Sequence, residues 1–340
     1  MATAQLPSNP TLNDWANHWL NLYVKPVAKP SGYEHYHENM HKHILPKLGH
    51  LKLNQITTPV VQNFFNEEAT HGNLRDGGPL SAKSMRNMRV VLDVCCKRAV
   101  ADGYMPANPV PATVLRRGRT TRVDIMTDDT QSILEEYLFD HDTSRDSGIS
   151  MSLFSGMRLG EVCALQWGDY NFRTHMAHIH NTVRRVTNFD RKEENSPKTK
   201  LIFTSVKSDG SDREIYFSDF LHQLMCRQFR RFCAEFGREP NGEDFVIFNQ
   251  RGGHMDPDSL SQYFRKLQKK LNLPHVKYHA LRHTFATRAV EKGVDVATVS
   301  GLLGHGDVTT TTHYYVHPRQ DAMRRAMERL GPITRDCRFA

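Results

Sequence analysis

Two arginines, two histidines and a pair of tyrosines are the side chains in this sequence best suited to phosphoryl chemistry. Arg158 lies in Ser155-Gly-Met-Arg-Leu-Gly-Glu161, where Gly156 permits a close turn and the following residues open a helix. Arg158 and Glu161 are three residues apart and share a helix face. They read either as a surface ion pair or as an arginine aimed out of a helix start and held by its carboxylate. His279-Ala-Leu-Arg-His283 sets His279 and Arg282 on one face and directs Leu281 to a core. His279 and His283 also have the spacing of a zinc helix, but Ala280 stands where a zinc protease carries glutamate, and no third ligand is evident. A histidine and an arginine that both donate to an oxyanion are the better chemical match. Downstream, Leu303-Gly-His-Gly-Asp307 precedes Thr309-Thr-Thr-Thr-His-Tyr-Tyr-Val-His317. Tyr314 and Tyr315 are either packing residues or include a nucleophile, because a phenolate can attack phosphorus and leave again.

The elements that must position these groups fall into two modules. The first reads as four short helices. Thr11 and Asp14 fit a capping box before Trp15, Trp19, Leu20 and Tyr23. A second helix is expected after Ser31, with Tyr33, Tyr36, Met40 and Ile44 on one face. Thr58 and Pro59 suit the N-cap and first position of a third, burying Val60, Val61, Phe64 and Phe65. Ser81 suits the N-cap of a fourth, running through Met85, Met88, Val91, Leu92 and Cys95. Pro106, Pro109 and Pro111 break the pattern, and Leu115-Arg-Arg-Gly-Arg-Thr-Thr-Arg122 reads as a basic linker, phosphate-contacting or simply solvated. The boundaries expected are a helical domain over 1–112, a linker over 113–123 and a mixed domain over 124–340. In the latter, helices are expected at 150–167, 218–236, 257–271, 277–292, 295–303 and 320–330. Strands are expected at 176–185, 201–207 and 213–217, with a turn at Ser208-Asp-Gly-Ser211 between the last two.

Composition agrees with such a chain. At 340 residues it is long enough for two domains, and 39% hydrophobic with 24% charged residues excludes general disorder. No apolar run approaches the roughly 18 residues of a membrane helix, and no secretory signal is visible. The six cysteines form no CxxC pair, which suits reduced thiols in a cytoplasmic chain. The net charge of +8 is uneven: residues 1–123 hold 15 Lys and Arg against 8 Asp and Glu, leaving 30 against 29 of the totals of 45 and 37. This reads either as a basic front module that grips a polyanion, joined to a nearly neutral one, or as an ordinary solvated basic surface.

Taken in order, Gly-Met-Arg-Leu-Gly-Glu, a lysine near a turn, His-Ala-Leu-Arg-His-Thr-Phe-Ala-Thr, Leu-Leu-Gly-His and a tyrosine resemble the tyrosine recombinase (phage integrase) family over 124–330. The first module resembles, more weakly, that family's SAM-like core-binding domain. The resemblance implies two domains, an all-α SAM-like domain followed by a mixed, mainly α catalytic domain with a small antiparallel sheet, closed as a C-shaped clamp on duplex DNA. It implies strand cleavage by tyrosine attack, a 3′-phosphotyrosine intermediate and rejoining by a 5′-hydroxyl, without ATP, metal or other cofactor. Arg158 and Arg282 would hold the scissile phosphate, His279 would assist proton transfer from the tyrosine, His305 would hydrogen-bond the phosphate and Glu161 would orient the site. The family lysine precedes an Arg-x-aliphatic strand, which selects Lys207 before Arg213-Glu-Ile215, with Lys200 as fallback. Family spacing and the Tyr-x-His pattern select Tyr315, followed by Val316 and His317, over Tyr314. Arg116, Arg117, Arg119 and Arg122 are the expected DNA-backbone contacts. Partners implied are double-stranded attachment sites, a synaptic homotetramer and an excision-directing accessory factor, with no membrane. The chain opens almost directly on the core-binding helices, so no arm-binding domain is expected ahead of them. Residues 321–330 are expected to form a tail helix that packs in trans. A phage, an integrative conjugative element and a chromosomal resolvase all stay open as its source. The rivals are a non-catalytic DNA-binding protein on the same scaffold, a type IB topoisomerase and, more distantly, a zinc hydrolase.

Overall fold

Thr11 starts the first helix by accepting the Asp14 backbone N–H at 3.2 Å, while its hydroxyl donates to the Asp14 carboxylate at 2.6 Å. Helix α1 (Leu12–Trp19) then buries Leu12, Trp15, Ala16 and Trp19. The computed structural model describes residues 6–116, 124–191, 195–205 and 211–304, and the chain divides into two units, 1–121 and 122–340. In the first unit α1 runs on as a π-helical turn over Leu20–Val24. Helix α2 (Pro30–Asn39) begins one residue before Ser31, with the proline in its first turn, and passes through a second π-helical turn at Met40–Ile44 into the single-turn α3 (Leu45–Leu48). Tyr33, Met40 and Ile44 point inward, while Tyr36 meets Trp19 edge to face at 5.6 Å.

Helix α4 (Thr58–His71) takes Thr57, not Thr58, as its N-cap residue. Val61, Phe64 and Phe65 are buried as expected and Val60 is only half-buried. Helix α5 (Ala82–Ala101) starts at Ser81, whose hydroxyl accepts the Ser84 N–H at 3.1 Å, and buries Met85, Met88, Val91, Leu92 and Cys95. The Trp15 indole donates to the Cys95 carbonyl at 3.2 Å, joining α1 to α5 through the middle of this core. The proline-rich segment after α5 belongs to the same unit. Thr58 donates to the Pro109 carbonyl at 3.3 Å, Gln62 exchanges hydrogen bonds with the Val114 backbone at 3.0 and 2.8 Å, and Thr113 is buried. The first residues of the expected linker, Thr113 and Val114, are thus anchored. Arg116 is exposed, and Arg117, Arg119 and Arg122 lie outside the described residues.

The second unit departs from expectation near its start. Helix α6 (Asp128–Asp140), capped by Thr127, is not foreseen from the sequence. In place of one helix over 150–167, the chain forms α7 (Ser144–Ser155) and α8 (Leu159–Ala164), broken at Gly156 with φ +70°. The expected strand 176–185 likewise divides at His180, into β2 (Met176–Ile179) and β3 (Asn181–Thr187), after a short β1 (Tyr170–Asn171). Strands β4 (Thr199–Ser205) and β5 (Arg213–Tyr216) follow. They do not form the simple hairpin expected of them. The order is β1-β2-β5 in one antiparallel sheet and β3-β4 in another. Ile179 pairs with Arg213 and Asn181 with Ser205, so His180 alone separates the residue that meets β5 from the residue that meets β4. Strands β4 and β5 are thus each held by a different part of one chain segment, β2–β3, and not by each other.

Helices α9 (Asp219–Phe236), α10 (Pro257–Lys270), α11 (His279–Glu291) and α12 (Val296–Leu303) lie within two residues of their expected spans. Their core surrounds α7, whose small buried side chains Ser147, Gly148, Ser150 and Ser152 let neighbouring helices approach closely. Tyr278, just before α11, donates to the Gly148 carbonyl and accepts from Ser152, each at 3.0 Å, so the start of α11 is locked onto α7. The tail helix expected over 320–330 lies outside the described residues. Among those residues, Cys95, Cys96, Cys163, Cys226 and Cys233 are free thiols, and no helix is long and apolar enough to cross a membrane.

Candidate active site

The site is organised by the end of α12. A helix leaves its last carbonyls without internal partners, and its C-terminus carries partial negative charge. Gly304 closes α12 in the left-handed conformation, φ +64°. Three successive carbonyls there each receive a different arginine: Arg213 Nε donates to Leu302 at 2.8 Å, Arg282 Nη2 to Leu303 at 2.7 Å, and Arg158 Nη2 to Gly304 at 3.0 Å. This explains in physical terms how Leu302-Leu-Gly304 comes to lie beside arginines from α8, α11 and β5.

Arg158 is the residue before α8. Its backbone N–H donates to Glu161 Oε2 at 2.9 Å and its Nη1 to Glu161 Oε1 at 2.6 Å, so the carboxylate caps the helix and directs the guanidinium together. The Arg158 side chain is 34% exposed and faces solvent on one side, whereas Arg282 is buried to 2%. Arg282 Nη1 also donates to the Gly156 carbonyl at 2.8 Å, which fastens α11 to the turn before α8. Both glycines of the Arg158 segment are required by close approach. A Cβ at Gly156 would lie 2.5 Å from the Phe285 ring and 2.9 Å from Leu303; one at Gly160 would lie 2.4 Å from Thr182 Oγ1 and 2.6 Å from the Val183 carbonyl oxygen. Gly160 therefore lets α8 sit directly on β3.

Electrostatics follow from this packing. Burial holds the His279 imidazole below its ordinary range, Arg282 and Arg158 push it the same way, and Glu161 partly opposes them. His279 is thus neutral near neutral pH and able to take a proton. Burial alone would raise the Glu161 carboxyl, but the Arg213 hydrogen bonds and charge, then Arg158, hold it below its ordinary value. It is a carboxylate in permanent use.

Of the residues singled out by sequence, the structure brings Arg158, Glu161, His279 and Arg282 together. His279 and His283 meet edge to face at 4.4 Å, and among the described residues no group of three His, Cys, Asp or Glu is placed to hold a metal ion. Lys200, the fallback lysine, projects from β4 and pairs with Asp190 at 2.9 Å. Lys207, His305, Tyr314 and Tyr315 lie outside the described residues. Arg213 is the participant that sequence reasoning did not assign. Its only signal was its position at the head of the strand after Lys207, since its partner Glu161 is remote in sequence.

Residues 125–321 match the phage integrase family, and residues 11–69 match the family's N-terminal SAM-like domain. The chain belongs to the phage integrase family. Its two units are the SAM-like domain and the catalytic domain of that family, mostly helical with small antiparallel sheets. A XerC-like tyrosine recombinase of Caldanaerobacter subterraneus subsp. tengcongensis is 25% identical over 297 residues, 83% of this chain and 73% of that one. The transposase of transposon Tn916 from Enterococcus faecalis is 26% identical over 194 residues, 54% of this chain and 44% of that one. Among solved structures, the Tn1549 transposon integrase in complex with transposon right end DNA aligns with TM-score 0.76 at 20% identity, covering 95% of this chain and 100% of that one. A lambda integrase dimer bound to a core site aligns with TM-score 0.63 at 20% identity, covering 90% and 77%. Those two likenesses concern the integrase fold.

Proposed function

We propose that this member of the family recombines DNA at specific sites, integrating or excising a mobile element by cutting and rejoining strands through a 3′-phosphotyrosine bond. The observation that carries the reading is the convergence of Arg158 and Arg282, from α8 and α11, on adjacent carbonyls at the end of α12, with a neutral His279 beside them. Two fixed guanidinium groups around one point suit the negative charge of a phosphodiester in its transition state. Tyr315 Oη attacks the phosphorus and passes its proton toward His279. The bond to the 5′-oxygen breaks, and Lys207 protonates that oxygen as it leaves. His305 hydrogen-bonds the phosphate. A 5′-hydroxyl of the partner strand then attacks the phosphotyrosine, restores the diester and frees the tyrosine. The diester bond energy stays in the enzyme link throughout, so neither ATP nor a metal enters the scheme.

Around this chemistry we place two DNA attachment sites, a homotetramer that holds them in synapsis and an accessory factor that biases excision, all in the bacterial cytoplasm. Arg116, Arg117, Arg119 and Arg122 serve as backbone contacts. The test is a nicked duplex, carrying the element's end sequence, from which the cleaved strand end diffuses away. The wild-type chain should accumulate a covalent protein–DNA adduct. Tyr315→Phe should form none while binding the same DNA, and Tyr314→Phe should still form it. Adduct from Tyr315→Phe but not from Tyr314→Phe would transfer the nucleophile to Tyr314. No adduct from any form would leave a DNA-binding protein. Relaxation of plasmids that carry no paired site would favour a topoisomerase.

A further inference from the structure

Glu161 is a carboxylate buried to 1% exposure and divided between two arginines. Oε1 accepts from Arg158 Nη1 at 2.6 Å and from Arg213 Nη1 at 3.3 Å; Oε2 accepts from the Arg158 backbone N–H at 2.9 Å and from Arg213 Nη2 at 3.0 Å. Each oxygen therefore takes two hydrogen bonds, which fills the acceptor capacity of the group and fixes its plane. Arg213 is itself 7% exposed. Beyond Glu161 and Leu302, its Nη1 donates to the Ser211 carbonyl at 3.0 Å, and the Ser211 hydroxyl donates to Gly304 at 3.3 Å. One side chain thus joins the carboxylate that directs Arg158, the last turn of α12 and Ser211.

We propose that Arg213 is a positioning residue for strand cleavage, setting both the direction and the available charge of Arg158 through Glu161. The inference rests on the reading of Arg158 as a phosphate-binding group. One carboxylate bonded to one arginine would offer the phosphate a neutral pair. With two guanidinium groups on one carboxylate the trio keeps a net positive charge, and in a partly water-excluded site that charge counts for more than it would in bulk water. Geometry sets the direction. Arg213 occupies one hydrogen-bond site on each Glu161 oxygen and the Arg158 backbone N–H takes the second site on Oε2, so the Arg158 guanidinium meets the carboxylate through Nη1 alone and cannot form a two-pronged pair with it. Its guanidinium stays turned outward, steadied by Gly304.

The experiment compares full-length wild type, Arg158→Ala, Arg213→Gln and Arg213→Lys in single-turnover cleavage of two nicked duplexes. One carries the ordinary scissile phosphodiester. The other carries a methylphosphonate there, a methyl replacing one non-bridging oxygen, so the reacting group has no charge to neutralise. Arg213→Gln should slow phosphodiester cleavage by about 10- to 100-fold, less than the roughly 10²- to 10³-fold of losing a transition-state donor outright, because Arg213 acts through Arg158. It should slow methylphosphonate cleavage by far less, as Arg158→Ala does, and Arg213→Lys should fall between it and wild type. Equal slowing on both substrates would mean that Arg213 only holds the fold, and the inference would be wrong. If Arg213→Gln fails to fold, the same ratio read on Arg213→Lys decides. If the methylphosphonate is inert throughout, the double variant Glu161→Gln/Arg213→Gln decides, since removing the carboxylate that over-pairs Arg158 should make it faster than Arg213→Gln on the phosphodiester; an equal or slower double variant sinks the proposal. A wild type that forms no adduct on the phosphodiester would overturn the recombinase reading and this inference with it. A wild type that cleaves, with the ratio unchanged, would overturn the inference alone.

Discussion

His279 sits where burial and two guanidinium groups all favour its neutral form, and the sign of that arrangement can be read in solution. The neutral imidazole is the working form of a base, so cleavage should fall on the acid side through an apparent pKa below the ordinary 6.5. Arg158→Ala removes one of the opposing cations and should move that limb upward. Glu161→Gln removes the one opposing anion and should move it further down. Single-turnover rates between pH 5 and 8 check both, and a limb above 6.5 would remove His279 from the role of base. Lys207 carries a second prediction. If it protonates the leaving 5′-oxygen, Lys207→Ala should slow cleavage strongly on ordinary DNA and only slightly when a 5′-bridging sulfur replaces that oxygen, because a thiolate leaves without a proton. An unrecovered rate on the sulfur substrate would hand the role to another lysine. At this scale the sequence was readable where unusual residue types stand in a fixed order, as in His279-Ala-Leu-Arg282. Arg213 was not readable, because its meaning lies in a carboxylate on another element and in the backbone of Leu302, and neither pairing leaves a trace in spacing along the chain.

Elements were legible where a cap or a period marks them. Thr11 and Ser81 begin helices for the reason their side chains suggest, and α9 to α12 follow their apolar spacing. Legibility failed where tertiary contact chooses between local options. Ile133 and Phe139 are exposed on α6, which blurs its apolar face. Gly156 could be a tolerated glycine inside one long helix, but Arg282 binds its carbonyl, and Phe285 and Leu303 crowd its Cα, so the chain turns there and starts α8. The β4–β5 hairpin failed because strand pairing is decided by the third chain segment, β2–β3, that both must meet. The same close packing makes a prediction about α8. Gly160→Ala would force a Cβ against Thr182 and the Val183 carbonyl, and backbone cannot swing aside as a side chain can. An overpacking cost of about 1–3 kcal/mol is expected, lowering Tm by about 2–4 °C for each kcal/mol in a unit of this size. Cleavage should fall further than stability does, because α8 carries Arg158 and Glu161 with it; a displacement of about 1 Å in a catalytic group can cost about 10²-fold. Gly301→Ala, in α12 with no atom of the described residues within 4 Å of the added Cβ, is the control and should leave cleavage unchanged and stability no lower. Equal behaviour of the two variants would mean that α8 does not need its contact with β3.

For the whole molecule the distribution of charge is the property to explain. Residues 1–123 hold 15 basic against 8 acidic residues, while the remainder is nearly balanced at 30 against 29. The catalytic unit uses several of its arginines internally, as Arg158, Arg213 and Arg282 on α12 and Glu161 show, and as Arg185 on Asp256 and Arg288 on Glu291 repeat. Such groups act at short range and add little to a long-range field. Grip on a polyanion then falls to other basic residues, and the run from Arg116 to Arg122 sets four arginines within seven residues. Removing one phosphate-binding cation should flatten the dependence of log affinity on log salt by about 0.9, so replacing Arg116, Arg117, Arg119 and Arg122 by glutamine should flatten it by up to about 3.6. Affinity should fall alike on specific and unrelated DNA, since groups that bind the backbone carry no sequence information. The rate of adduct formation at saturating DNA should stay where it was, because none of the four stands in the proposed chemistry. Titrations of both DNAs from about 50 to about 300 mM salt, with one single-turnover rate at saturation, separate the possibilities. An unchanged slope would show a linker that never touches phosphate. A changed slope with a slower saturated rate would show that the segment does more than hold DNA and helps to set the cleavage site itself.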